Sequence, residues 1–169
     1  MLHTPRLHLR PLTEADFPHI YRLQSDPEVM RYIRAASSEE APIRERMAAW
    51  ADYARQNPGL GVWGMFLKED GAFVGYATGR HVDFDAASGE YEVGYTLAPE
   101  HWGKGLATEV AQGVCRYLFD VIGAPEVLAF TDPENHPSQQ VLRKCGFVEA
   151  GRRVLYGGEL LVFRLGVER

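Results

Sequence analysis

Polar and apolar residues alternate through Arg6-Leu7-His8-Leu9-Arg10, the two-residue period of a half-buried strand, and Pro11 ends the run. The period then lengthens. Thr13 with Asp16 reads as a capping box, after which Phe17, Ile20, Tyr21 and Gln24 share one helical face until Asp26-Pro27 stops it. A second capping signal, Ser37 with Glu40, precedes Ile43, Met47, Trp50 and Ala54 at i, i+4, i+7 and i+11. That spacing predicts an amphipathic helix ending near Asn57-Pro58-Gly59. Segments 62–68 and 73–80, around the turn Glu69-Asp70-Gly71, predict an antiparallel hairpin, and 91–97 a third strand after a loop.

Beyond this point the helical period returns. Leu106, Val110, Val114, Leu118 and Val121 form a stripe closed by Gly123, and 126–131 reads as a strand. A helix of about 15 residues between two strands is the connection a parallel crossover needs, so the sheet is mixed. Pro137 suits a first helical turn, Val141, Leu142 and Cys145 line one face, and Gly146 stops the helix. Strands 147–155 and 159–166, joined by Tyr156-Gly157-Gly158, finish the chain. The expected fold class is α+β, a mixed, mostly antiparallel central sheet of about seven strands with about four helices, in one domain over 1–169.

Composition narrows the function classes. With 46% apolar and 24% charged residues, the 169-residue chain fits one folded domain and excludes a disordered, collagen-like or disulfide-scaffold protein. A net charge of −5 without any Lys/Arg run argues against nucleic acid or an anionic membrane as partner. Cys115 and Cys145 lack zinc-site spacing, so no metal is expected. Only two cysteines, and no apolar run of signal-peptide or spanning length, make the cytoplasm the expected compartment. Monomer and homodimer both remain open.

The chemistry concentrates in Pro99-Glu100-His101-Trp102-Gly103-Lys104-Gly105-Leu106-Ala107-Thr108, between a strand and a helix. Glycines there let the backbone approach an anion, and unpaired N–H groups of the first helical turn point at it. The helix dipole contributes about 0.3–1 kcal/mol, so several charge-assisted hydrogen bonds of roughly 1.5–3 kcal/mol each must dominate phosphate binding. The same glycines also suit close helix–sheet packing. No Lys-Ser or Lys-Thr follows for a P-loop, and Thr108 stands where a dinucleotide fingerprint needs a small residue.

Residues 102–107 resemble the acyl-CoA pyrophosphate loop of the GNAT acetyltransferase superfamily, Gln/Arg-x-x-Gly-x-Gly/Ala: Gly105 and Ala107 match it, and Trp102 departs from it. Over nearly the whole chain the similarity is closer to the RimJ/RimL branch, the ribosomal-protein N-terminal acetyltransferase type. Its markers are Thr4-Pro5-Arg6-Leu7-His8-Leu9-Arg10-Pro11, Asp26-Pro27-Glu28-Val29-Met30, Glu92-Val93-Gly94-Tyr95, Asn135-His136-Pro137-Ser138 and Val141-Leu142-Arg143-Lys144-Cys145-Gly146-Phe147. The resemblance implies acetyl-CoA as cosubstrate, wedged between strands 91–97 and 126–131, and direct attack by a primary amine in a ternary complex. It implies that the backbone of Tyr95, Thr96 and Leu97 pairs with the pantetheine arm. The pyrophosphate would meet the N–H groups of Gly103, Lys104, Gly105, Leu106, Ala107 and Thr108, with Trp102 at the loop's entry. Asn135 would meet the arm or a bound water.

Many members of that superfamily carry a tyrosine acid where Leu142 stands, so Ser138 becomes the candidate donor to the departing sulfur. Ser138 equally suits a helix start. Glu92 is the candidate base, directly or through water, with Glu90 as the neighbour that could replace it. An α-amine with a pKa of about 7.7–8.0 needs little help, whereas lysine near 10.4 needs about 4–5 kcal/mol. Asp83, Asp85, Glu90 and Glu92 cluster around one loop and strand, which suggests a cationic amine or a basic protein N-terminus, such as that of a ribosomal protein, as acceptor. His101 and His136 flank both motifs, but solvated loop histidines are commoner than phosphate ligands. Cys145 lacks a base for acyl-cysteine chemistry, and Trp50 and Trp63 read as core. The alternative is a non-catalytic acyl-CoA-binding or sensor domain that keeps the cradle without the proton chemistry; a third reading is another nucleotide-dependent enzyme.

Overall fold

Apolar runs, clearly alternating only in the first long strand, set the central strands of the computed structural model, which describes residues 1–167. In chain order these are β1 (Leu2–His3), β2 (Leu7–Pro11), β3 (Gly61–Leu67), β4 (Phe73–His81), β5 (Tyr91–Leu97), β6 (Glu126–Thr131), β7 (Val148–Leu155) and β8 (Gly158–Gly166). The helices are α1 (Phe17–Gln24), α2 (Pro27–Met30), α3 (Glu40–Gln56), α4 (Leu106–Tyr117) and α5 (His136–Lys144). The sheet runs β1-β2-β3-β4-β5-β6-β8-β7, antiparallel throughout except for β5 against β6. This is the expected α+β class with one strand and one helix more than the periodicity shows. Both additions are too short for it: β1 has two residues and α2 has four.

Two boundaries also shift. The third helix starts at Glu40, not beside Ser37, whose hydroxyl instead accepts from the Glu39 N–H at 3.3 Å. After Tyr117 the chain makes one wide π-type turn, Leu118–Ile122. The extra residue rotates Val121 off the apolar stripe, leaving it 66% exposed.

The sheet has a helix layer on each face. α4 and α5 cover one face, where Leu9, Met65, Val93, Val114, Leu142 and Phe163 form the larger core. α1 and α3 cover the other through Phe17, Ile20, Ile43, Trp50, Val62 and Tyr76. Each such fully buried side chain is worth about 1.5–3 kcal/mol. Gly75 lets β4 and β5 close up, because a Cβ there would meet the Thr96 carbonyl oxygen at 2.0 Å.

A partly buried ion pair ties the turn that leads into α1 to β2. Asp16 accepts from Arg10 at 2.8 and 2.9 Å and from the Thr13 N–H at 2.8 Å. The Arg10 hydrogen bonds outweigh burial and hold the Asp16 carboxyl below its usual range. A depressed folded pKa gives stability that is complete above about pH 4, the unfolded value, and is lost as pH falls through the folded one. Asp16→Asn is therefore expected to lose about 1.5–3 kcal/mol at pH 7 by urea unfolding. That deficit should shrink toward pH 3, and a deficit equal at both pH values contradicts the assignment.

Candidate active site

The sheet opens in its middle. β5 and β6 pair only at Tyr91↔Val127 and Glu92↔Leu128, then part, so the far half of β5 has a free edge. Backbone groups along an antiparallel strand alternate sides. The Thr96 carbonyl faces β4, which leaves Val93, Tyr95 and Leu97 facing the gap. Of the three residues expected to meet an extended ligand, Thr96 is thus turned away. Val93, on the free edge, was not anticipated. Trp102, 43% exposed, donates its indole N–H to the Leu97 carbonyl at 2.8 Å, so this side chain closes the strand end and Leu97 offers only its N–H.

At the wide end of the gap lies the glycine loop. Gly103 and Gly105 adopt φ of 72° and 77°, a left-handed geometry that glycine takes without strain. Gly105 occupies the N-cap place of α4 without a side-chain cap, and the first bond back is from the Glu109 N–H to the Gly105 carbonyl, 3.1 Å. Among the described residues, no N–H from Gly103 to Thr108 has a partner within the chain. Space around Gly103 is open. Leu106 is buried and Ala107 packs on the core, so their side chains fix the helix while their N–H groups stay available.

Arg6 ties this loop down, a role the sequence did not reveal although Arg6 stands in one of the quoted markers. It binds Glu109 through its backbone N–H (2.7 Å) and its Nε (2.6 Å), and its Nη1 donates to the Lys104 carbonyl at 2.9 Å. The Thr4 hydroxyl completes the set, donating to Glu109 at 2.7 Å. Burial pushes the Glu109 carboxyl up, but these hydrogen bonds outweigh it and hold the group low, hence ionised. The guanidinium stands 3.5 Å from where a Gly105 Cβ would be, a positive charge beside the cradle.

Opposite the free edge, Asn135 caps α5, its side-chain oxygen accepting from the Ser138 N–H at 3.2 Å. The Ser138 hydroxyl is left for another partner, the Tyr95 hydroxyl at 3.2 Å, which bridges α5 to β5. Burial pushes the Tyr95 phenol up to about 12, so it stays protonated as a donor. Leu142 lies in the core. Tyr95 was expected to contribute only its backbone; its side chain supplies the second hydroxyl.

Glu92 is the last paired residue before the strands part and is 4% exposed. Arg80 Nε donates to it at 2.6 Å, and the Tyr156 hydroxyl lies 2.8 Å from both carboxylate oxygens. Burial raises its carboxyl pKa, against the Arg80 charge and the Tyr156 and Arg80 hydrogen bonds. Tyr156 also accepts the Asp83 N–H at 2.7 Å. Glu90 is no substitute base: Arg153 binds it at 2.9 and 3.0 Å and holds its carboxyl low. The four acids differ in their pairing. Arginines neutralise two of them, Asp83 is exposed, and Asp85 accepts the Ala87 N–H at 3.0 Å. Burial pushes the Cys145 thiol to about 11 and that of Cys115 to about 12, too high for a nucleophile near neutrality.

Comparisons with known proteins agree with this geometry. The profile of the Acetyltransferase (GNAT) domain matches residues 6–148. FsC-acetyl coenzyme A-N(2)-transacetylase of Aspergillus fumigatus is 33% identical over 156 residues, which cover 86% of this chain and 63% of that protein, so the chain spans less than two thirds of this relative. The solved acetyltransferase from Agrobacterium tumefaciens superposes with a TM-score of 0.84 at 24% identity, covering 98% of this chain and 94% of that one. Spermidine N-acetyltransferase from Vibrio cholerae, in complex with CoA and spermine, gives 0.78 at 19% identity and 95% coverage of both. The structural likenesses carry the fold; the profile, which runs through most of the sequence, carries the family. The chain belongs to the GNAT acetyltransferase family and carries its acetyl-CoA-dependent N-acetyltransferase domain.

Proposed function

We propose that this chain transfers the acetyl group of acetyl-CoA directly to a primary amine, in a ternary complex, with a protein or peptide α-amine as the preferred kind of acceptor. The parted strands β5 and β6, opening beside six unpaired N–H groups, carry this reading. A diphosphate at residues 103–108 and a thioester at the vertex by Glu92 are separated by the free edge of β5. Five residue steps there span about 17 Å at about 3.3 Å each, an extended path for the arm along Val93, Tyr95 and Leu97.

At the vertex the amine nitrogen attacks the thioester carbon, the C–S bond breaks and the amine loses a proton. In the Tyr95–Ser138 pair one hydroxyl donates to the other, and that one donates to the departing sulfur. A thiol near 8.5 is more acidic than a phenol near 12, and full proton transfer from Tyr95 would be uphill by about 5 kcal/mol. The pair therefore stabilises the thiolate rather than protonating it. The amine's proton passes to Glu92 through water or the Tyr156 hydroxyl, since Arg80 and Tyr156 already cover the carboxylate. An α-amine, nearly neutral at pH 7–8, needs no stronger base.

The test is free-thiol release from acetyl-CoA with a panel of peptides, polyamines and amino acids. Turnover is expected, and Ser138→Ala with Tyr95→Phe should lower kcat about 100-fold or more while CoA affinity stays within about threefold. CoA binding without thiol release from any amine would instead identify a sensor domain.

A further inference from the structure

A cavity of about 290 Å³ lies against α3, lined by Arg46, Ala49, Trp50, Tyr53 and Phe84. The four α3 residues recur at i, i+3, i+4 and i+7, one helical face. That face overlooks the sheet where Trp50 packs on Tyr76, ring centroids 5.4 Å apart. Between the pairs Tyr76↔Thr96 and Arg80↔Glu92 stands Thr78↔Gly94, small and only half-buried, so the sheet leaves room beneath.

The two ends of the cavity differ. At one end Phe84 packs on Tyr53 at 5.2 Å and receives the Arg80 guanidinium at 3.7 Å, and Arg80 is the partner of Glu92. Arg80 thus links this end to Glu92 at the vertex. The other end is Arg46, about 10 Å along the helix from Tyr53, seven residues at 1.5 Å. Arg46 is half-buried and donates to the Gln24 side-chain oxygen. Among the described residues no carboxylate pairs with it. Burial and the charge of Arg34 both push its guanidinium down. An uncompensated guanidinium in an apolar wall is unfavourable alone and well shaped for a carboxylate. Of the acids near the vertex, Glu92 is held by Arg80 and Tyr156 and Glu90 by Arg153, which leaves Asp83 and Asp85 as the carboxylates open to a polycation.

We infer that the acceptor is an amine whose apolar body ends in a carboxylate bound by Arg46, with the amine directed toward the vertex. This rests on the transfer reading above and names its substrate class. A tripeptide with a free C-terminus, at 3.3–3.6 Å per residue, spans the roughly 10 Å from Arg46 to the Tyr53 end of the cavity.

The matched probes are alanyl-phenylalanyl-alanine with a free C-terminus, the same peptide as its C-terminal amide, and spermidine. Each is measured by thiol release at saturating acetyl-CoA, and by calorimetry on the CoA complex. The free acid should exceed the amide at least tenfold in kcat/KM and in affinity, with spermidine weakest. Arg46→Met should abolish that preference and Arg46→Lys should keep part of it, with CoA affinity unchanged in both. Equal acid and amide, a preference that survives Arg46→Met, or spermidine as the best acceptor would overturn the inference. Turnover without the preference removes it and leaves the transfer reading standing. A binding preference lost in Arg46→Met, with no thiol release from any amine, does the opposite.

Discussion

Gly103→Val combined with Gly105→Val is expected to weaken CoA binding about 100-fold or more. Both positions hold φ above 70°, where a β-branched residue is strained by roughly 1–2 kcal/mol each. The chain relieves that strain by rotating the loop, which turns its N–H groups off the diphosphate. Losing two charge-assisted bonds of about 1.5–3 kcal/mol each more than accounts for the factor, since 100-fold is about 2.7 kcal/mol. Neither glycine packs tightly, so the melting temperature should move little. Titration calorimetry with CoA and a thermal melt of the same variant decide the matter, and unchanged affinity would mean the diphosphate lies elsewhere.

The second large effect belongs to Glu92. Glu92→Ala leaves the Arg80 guanidinium, only 13% exposed, without its counter-charge and the Tyr156 hydroxyl without its acceptor. Breaking such a buried pair costs about 3–5 kcal/mol, a large part of the 5–15 kcal/mol typical of a domain. Glu92→Gln keeps an oxygen for Arg80 and should lose less. If Glu92 also takes the amine's proton, Glu92→Gln lowers kcat beyond what its stability explains, most with lysine-like amines of high pKa and least with α-amines. Urea unfolding of both variants beside kcat for the two amine classes separates the roles. A loss below about 1 kcal/mol in Glu92→Ala would show that the pair does not support the fold.

What the sequence revealed is what neighbouring residues decide. A period-two run gave β2, two runs around a turn gave β3 and β4, and period-3.6 stripes gave α3 and α4, because each signal fits inside one or two neighbouring elements. The glycine loop was equally visible, since a left-handed glycine before a helix start is a local matter. The π-type turn at Leu118–Ile122 breaks a period without any distinctive residue, so Val121 was placed on the wrong face. The polar pairs were hidden for another reason. Tyr95 and Ser138 are 43 positions apart, Glu92 and Tyr156 64. The second pair exists only because β8 inserts between β6 and β7, carrying the turn at Tyr156 to the start of β5. No spacing rule encodes that order. In the cluster Asp83, Asp85, Glu90 and Glu92, the arginines that pair with Glu90 and Glu92 arrive from other strands and were hidden for the same reason.

The tether from Arg6 to Glu109 and Lys104 makes the beginning of the chain part of a pocket built a hundred positions later. Nucleotide occupancy and the docking of the opening hairpin are then two readouts of a single equilibrium, each favouring the other. A fragment starting at β3 would keep every backbone donor of the cradle and still lack the clamp that aims them.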